Sequence, residues 1–175
     1  MDVSAFLATA DLVALIYESA LDAGQVPAML GTLARCLGAD AAQLQTRSMP
    51  QWVAYESTTF LDDGSRAADF DRDYLQGWGR SDPLLTLLQE SPWRQVHRHE
   101  RTLVLTCGVE RGIPQRRTLR WTMGGAFLQG PLRATVLTLY RRPDSAPFEQ
   151  WAEDLFGGLL AHIDRAWYSA ARLEQ

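Results

Sequence analysis

The N-terminal part of the chain has the hydrophobic pattern of two amphipathic helices. From Thr9 to Asp22, apolar side chains recur every three or four residues, the period of an α-helix with one buried face. The segment Gln25 to Leu37 repeats this pattern, and Gly38 follows it as a residue that commonly ends helices. We therefore predict a hairpin of two helices packed on one side of a sheet.

Two strands are predicted after this hairpin. Residues 41–48 alternate small or apolar side chains with polar ones, and a period of two indicates a strand with one face in solvent. The long polar side chains expected on the solvent face are Gln43, Gln45 and Arg47. The segment Trp52 to Thr59 is rich in aromatic and β-branched residues, so we predict a second strand that pairs with the first.

The stretch from Phe70 to Trp93 is the part around which we expect the rest of the chain to be organised. Three aromatic side chains, spaced to share one face of a helix, are Phe70, Tyr74 and Trp78. Asp82 then stands at a helix N-cap position, with Pro83 and a leucine-rich run behind it. The pattern predicts helix, break, helix. The aromatic corner between them can line an apolar pocket with a carboxylate at its mouth, or it can be core, and spacing leaves both open.

The clearest β pattern lies in the second half of the chain. Two apolar, β-branched segments, Leu119 to Gln129 and Leu132 to Arg141, flank a Gly-Pro turn and predict an antiparallel hairpin in the middle of the sheet. Gly124 and Gly125 inside the first segment indicate either a bulge or a place where another group approaches the backbone closely.

The segments on either side of this hairpin differ in regularity. Before it, Gln95 to His97 predicts a brief strand, and Glu100 to Arg111 is compatible with a short helix or an extended segment. After it, Phe148 to Gln175 carries an apolar stripe of helical period and predicts one long helix. Since this helix outruns the sheet on which it would pack, we expect a second copy of the chain to cover its far end in a homodimer.

These elements together predict an α+β fold, with a central antiparallel five-stranded sheet and helices on both faces, formed by residues 1–175 as one domain. The net charge is -4 and the basic residues are scattered, which argues against direct contact with nucleic acid. The N-terminus is acidic and has no apolar run long enough to span a bilayer. We therefore expect a cytoplasmic protein without membrane attachment.

Motifs for nucleotide binding, metal binding and catalysis are weak or missing. The sequence contains neither GxGxxG nor GxxxxGK[ST]. Cys36 and Cys107 are far apart and form no CxxC motif, so we expect reduced thiols. His97 and His99 form a pair without further ligands, and the serines near Asp82 have no GxSxG motif around them. The sequence predicts a protein that is not an enzyme and has no cofactor.

Several motifs are shared with a known family. They are the run DLVALIYESALDAGQVPAMLGTLARCLGADAAQLQ, the segment YLQGWGRSDPLLTLL, GVERGI before the hairpin, and LTLYRRPDSAPF. Together with the closing helix, they resemble the N-terminal sensor domain of LuxR-type transcriptional regulators, which has a PAS or GAF-like fold. The family's acyl-homoserine-lactone-binding branch has an aromatic pair, an Asp-Pro, a tryptophan and a glycine. The matching residues here are Phe70 with Tyr74, Asp82 with Pro83, Trp93 and Gly112.

The resemblance implies specific roles for these residues. In the lactone-binding branch the aspartate holds the amide N–H of the ligand, while the tyrosine and tryptophan bind its carbonyl oxygens. Trp93 follows Asp82 by 11 residues, a shorter gap than that branch usually has. The candidate ligand-binding residues are the aromatic side chains of this stretch and of the strands, with one carboxylate: Tyr55, Phe70, Tyr74, Trp78, Asp82, Trp93 and Trp121.

The resemblance also implies a function, a domain that senses a small apolar or amphipathic signal molecule and forms a homodimer. Ligand binding is expected to order the stretch from Phe70 to Trp93 and to reposition the long C-terminal helix. The family's helix-turn-helix, which would receive this signal, has no counterpart in residues 1–175. The alternative is a ligand-free interaction or anti-activator module, whose aromatic corner is packed shut and whose long helix pairs with a partner regulator.

Overall fold

The computed structural model describes residues 3–90, 93–110, 113–130 and 132–173. Within these ranges the helices and strands follow the predicted order, with short 3-10 turns at Ala23–Gln25 and Trp78–Ser81. The helices are α1 (Val3–Leu21), α2 (Val26–Cys36), α3 (Ala68–Gln76), α4 (Pro83–Glu90) and α5 (Gln150–Leu173). The strands are β1 (Ala41–Ser48), β2 (Val53–Leu61), β3 (Val96–Glu110), β4 (Ile113–Gly130) and β5 (Arg133–Arg141).

The five strands form one antiparallel sheet in the order β2-β1-β5-β4-β3. Strand β5 lies in the centre because it pairs with both β1 and β4, so the predicted hairpin and its position are confirmed. The extended alternative for Glu100 to Arg111 is confirmed up to Glu110, since β3 is one long strand, and the short helix is wrong. Strand β3 continues because each of its segments finds a partner on β4 across two register shifts.

One face of the sheet is covered by α1, α2 and α5, which build an apolar core with it. Leu30 from α2, Phe156 from α5 and Leu137 from β5 are all fully buried there. The backbone of β4 comes so close to α5 that a Cβ at Gly125 would collide with the side chain of Leu160. The close approach predicted from the paired glycines is therefore confirmed on this face.

The opposite face is covered by α3 and α4 and has a different construction. Its apolar side chains form two smaller clusters, one around Phe70 on α3 and one around Leu84 and Leu88 on α4. A Cβ at Gly124 would lie 2.6 Å from Leu84 Cδ2. Gly124 therefore allows α4 to approach the sheet closely, as Gly125 allows α5 on the other face. The helices thus lie on both faces, as predicted.

The prediction of a solvent-facing side for β1 is wrong. Gln43, Gln45 and Arg47 are 0%, 1% and 0% exposed. They point towards α3 and α4, which cover this face, and their polar atoms are satisfied by hydrogen bonds to neighbouring side chains. The alternation therefore distinguishes two buried faces, one apolar and one polar.

The outer surface of α1 and α5 retains large apolar side chains in solvent. They are Tyr17 and Leu21 on α1, with Trp151, Tyr168 and Leu173 on α5. The homodimer stays a prediction for which these residues mark the surface. None of the helices in the described part of the chain combines the length and apolar character that a membrane span requires.

Candidate functional site

The candidate site lies between β1 and the α3–α4 corner. Tyr74 is on α3, and Asp82 ends the 3-10 turn that leads into α4. Asp82 Oδ1 accepts a hydrogen bond from the backbone N–H of Leu84 at 3.0 Å, which is the capping role predicted for this carboxylate. Gly79 lets this turn pass over Tyr74, because a Cβ there would lie 2.6 Å from the Tyr74 ring and carbonyl oxygen.

Arg47 is the central side chain of the site. Its Nε and Nη2 atoms donate to Gln45 Oε1 at 3.0 and 2.7 Å, and its Nη1 donates to the carbonyl oxygen of Trp52 at 2.6 Å. Nη2 also donates to the hydroxyl of Tyr74 at 2.5 Å, and the guanidinium carbon lies 5.6 Å from the centre of the Tyr74 ring. Strand β1, the following turn and α3 are therefore joined through one buried guanidinium.

Tyr74 connects Arg47 to Asp82. Its hydroxyl accepts from Arg47 and donates to Asp82 Oδ2 at 3.0 Å. Burial, reinforced by the negative charge of Asp82, raises the pKa of Tyr74 well above its ordinary value. The hydroxyl therefore keeps its proton and acts as a fixed donor to the carboxylate.

A second branch runs from Gln45 to Asp71. Gln45 Nε2 donates to Gln43 Oε1 at 2.7 Å, and that oxygen also accepts from the hydroxyl of Tyr140 at 2.5 Å. Gln43 Nε2 donates to Ser57 Oγ, which in turn donates to Asp71 Oδ1, each at 2.9 Å. One continuous hydrogen-bonded chain thus runs from Asp71 to Asp82. We refer to it as the polar network.

The charges of the polar network are unevenly compensated. Asp82 lies 3.6 Å from Arg101 Nη1, and Asp71 lies 3.8 Å from Arg66 Nε, so each carboxylate has an arginine at the edge of the site. Among the described residues, no carboxylate oxygen lies within 4.0 Å of the Arg47 guanidinium nitrogens. Its acceptors among the described residues are neutral oxygens, and the Tyr74 hydroxyl lies between its Nη2 atom and the Asp82 carboxylate.

Apolar side chains enclose this network on both sides. The cluster of Phe70, Leu103 and Tyr140 lies towards α3, and the cluster of Trp52 and Leu85 lies towards α4. A hydrogen bond inside such surroundings is electrostatically stronger than one in water, and a polar group left unpaired is correspondingly costly. The network therefore joins the sheet to α3 and the start of α4 through buried polar groups, each of which needs a partner.

The structure brings together three of the predicted site residues, Phe70, Tyr74 and Asp82. Two others lie elsewhere. Tyr55 is exposed on β2, and the ring nitrogen of Trp121 donates to the carbonyl oxygen of Ser145 on the side of the α5 core. The side chain of Trp78 and the residue Gly112 lie outside the described residues.

Trp93 is placed at the rim of the α4 cluster. Its ring stacks on the ring of Trp52, with centroids 5.4 Å apart and an interplanar angle of 5°. Trp93 is 38% exposed, whereas Trp52 is buried. The two residues therefore connect the turn after β1 with the segment before β3.

Sequence reasoning missed most of the polar network. The residues it did not select are Gln43, Gln45, Arg47, Ser57, Asp71 and Tyr140. A signal was available in the predicted pair of helices around Asp82, because their apolar side chains must pack against one face of the sheet. Had that surface been assigned to the polar side of β1, its long side chains would have been expected inside.

Comparisons with known proteins support the fold. No model of a known protein family and no curated protein matches the chain. Among solved structures, the chain is similar to CepR2, an N-acylhomoserine lactone dependent LuxR family transcription factor from Burkholderia cenocepacia. The TM-score is 0.57 at 16% sequence identity, over 99% of this chain and 100% of that chain. The α+β fold, with the PAS or GAF-like sandwich expected from the resemblance, is thereby confirmed.

Proposed function

We propose that this chain is the small-molecule sensor domain of a LuxR-type transcriptional regulator. The observation that carries the proposal is the Arg47, Tyr74 and Asp82 hydrogen-bond chain, which lies between the sheet and the α3–α4 corner in the fold of a lactone-dependent factor. A small amphipathic signal molecule binds at this place and exchanges hydrogen bonds with the network. The domain acts in the cytoplasm and has no catalytic role.

The route from the site to α5 is supported by four contacts. Arg47 donates to the Trp52 carbonyl oxygen, and the Trp52 ring stacks on Trp93. The next residue, Arg94, donates its N–H to the carbonyl oxygen of Ala126 at 2.9 Å and forms an ion pair with the buried carboxylate of Asp164 on α5. A ligand that changes the hydrogen bonds of Arg47 therefore biases the position of α5, which passes the signal to a DNA-binding unit.

The homodimer is part of the proposal. The exposed apolar side chains of α1 and α5, such as Leu21 and Tyr168, lie on the outer surface of the helical layer. Burial of this surface against a second copy would place two α5 helices beside each other. Sedimentation velocity of the chain with and without Leu21→Asp tests this part, because a dimer through this surface becomes monomeric in the variant.

The ligand part of the proposal is tested at Asp82. In a thermal-shift screen against acyl-homoserine lactones, fatty acids and aromatic signals, a true ligand at 100 times its dissociation constant adds about 2.7 kcal/mol of stability. For that compound, Asp82→Ala should weaken binding by roughly 1.5–3 kcal/mol, because a hydrogen bond to a charged group is lost in a dry site. Equal affinity of the two proteins in calorimetry would exclude this role of Asp82.

A second candidate function is a ligand-free interaction module. It is favoured by one observation, namely that Arg47, Tyr74 and Tyr140 fill the space between the sheet and α3 and are almost completely buried. In that case the polar network serves only to hold the corner shut, and α5 pairs with a partner regulator. Native mass spectrometry of the chain as expressed separates the two, because bound ligand from the host supports the sensor.

A further inference from the structure

The polar network contains a buried positive charge for which the described residues provide no direct counterion. Arg47 is fully buried, and the oxygens that its nitrogens contact among the described residues are all neutral, namely those of Gln45, Trp52, Tyr74 and Gly79. Taking a charge out of water is costly unless an opposite charge compensates for it, and buried arginines are therefore normally paired. Arg47 differs in this respect from the two carboxylates of the site, each of which lies near an arginine.

Both carboxylates are already balanced by other arginines. Arg66 lies 3.8 Å from Asp71, and Arg101 lies 3.6 Å from Asp82. Two negative charges are thus matched by two positive charges at the edge, and the fully buried Arg47 adds a third. The group of five has a net charge of +1 in its ionised form, and the excess positive charge lies at its centre.

We infer, on the basis of the proposed sensor function, that the signal molecule is an organic anion whose charged end binds Arg47 and whose apolar body packs against the α4 cluster. A carboxylate matches the forked guanidinium through two parallel hydrogen bonds, which neutral acceptors cannot equal in strength. Arg47 contacts the carbonyl oxygen of Trp52, and the Trp52 side chain belongs to the same apolar cluster as Leu84 and Leu85, which suits the body of such a molecule. A site of this kind differs from one for an uncharged lactone in the charge of the ligand that it binds.

Gln45 supplies a way to test the inference without removing Arg47. Its Oε1 accepts from both Nε and Nη2, the two atoms that a bidentate carboxylate would use. Gln45→Glu therefore puts a carboxylate of the same size on the guanidinium. The internal counterion should compete with an anionic ligand and leave the binding of neutral compounds much less affected.

The experiment uses n-alkanoates from butanoate to dodecanoate, with the primary amide and the N-acyl-homoserine lactone of each chain length, on the whole chain at pH 7. We expect at least one alkanoate to raise the melting temperature and to bind about tenfold or more tightly than its amide in calorimetry. Arg47→Met and Gln45→Glu should abolish this preference. Arg133→Met, which changes an arginine that is largely in solvent, should retain it. Circular dichroism verifies that each variant is folded.

The results separate this inference from the proposed function. Binding of a lactone without binding of any alkanoate overturns the anion assignment and leaves the sensor function in place. Amides that bind as tightly as alkanoates, or a folded Gln45→Glu protein that binds alkanoate like the wild type, also overturn it. If none of the three series changes the melting temperature, both the inference and the ligand-sensing function are rejected.

Discussion

The two faces of the sheet differ in what they bury, and β1 shows the difference within one strand. Ala42 and Leu44 face the continuous apolar core with α1, α2 and α5, whereas Gln45 and Arg47 face the polar network under α3 and α4. Apolar burial contributes stability roughly in proportion to area, while a buried polar network must satisfy every member to avoid a cost. The apolar face therefore supplies stability, and part of that stability offsets the cost of burying the charged groups on the other face.

The largest expected effect is on the apolar face. Phe156 on α5 is fully buried in the core, and Phe156→Ala should lower the free energy of unfolding by about 3–5 kcal/mol through lost burial and the cavity left behind. Urea denaturation measures the loss. Trp151→Ala, on the same helix but about half exposed, is the control and should have a much smaller effect. Similar losses in both variants would contradict the assignment of this face as the main source of stability.

A smaller loss is expected on the polar face. Tyr74→Phe removes the hydroxyl that links Arg47 and Asp82 and keeps the ring, so each of the two charged groups loses a hydrogen bond. The unfolding free energy should fall by about 1–3 kcal/mol. Tyr55→Phe is a matched control, since its side chain is exposed, and should leave stability nearly unchanged. A Tyr74→Phe protein as stable as the wild type would show that the link does not hold the corner.

Most of the fold follows from the sequence because local signals and tertiary contacts agree. The paired glycines at 124 and 125 predict close approach, and one admits α4 while the other admits α5. The Asp82-Pro83 step predicts a helix start, and the Asp82 carboxylate accepts the N–H of Leu84 there. Where the residue type itself determines the local structure, as at these positions, the sequence pattern is sufficient to predict it.

The site is less predictable because it depends on contacts between distant segments. A period of two in β1 separates two faces but does not tell which of them is covered, and the cover over Arg47 comes from α3, 27 residues further along the chain at Tyr74. The compensation of charge is equally non-local, since the Arg101 side chain on β3 lies near Asp82 at the start of α4. Tyr74 and Asp82 are singled out by helical spacing and an N-cap position as well as by the family resemblance, whereas the burial of Arg47 depends on which face of β1 the α3–α4 corner covers.

The smallest expected effect is a pH dependence on the polar face. His97 pairs with Gly124 in the sheet and therefore lies on the same side as α4, and burial lowers its pKa below the ordinary value of 6.5, against a weaker opposing effect of Glu153. The unfolded chain then binds the proton more readily than the folded one. The stabilisation is present above pH 6.5 and is lost as the pH falls from there towards the folded pKa.

Urea denaturation from pH 7.5 to 5 should show a shallower decline in unfolding free energy for His97→Gln than for the wild type. His99→Gln, two residues away on the same strand, should follow the wild type, and an equal change in slope for both would attribute the effect to net charge instead of burial.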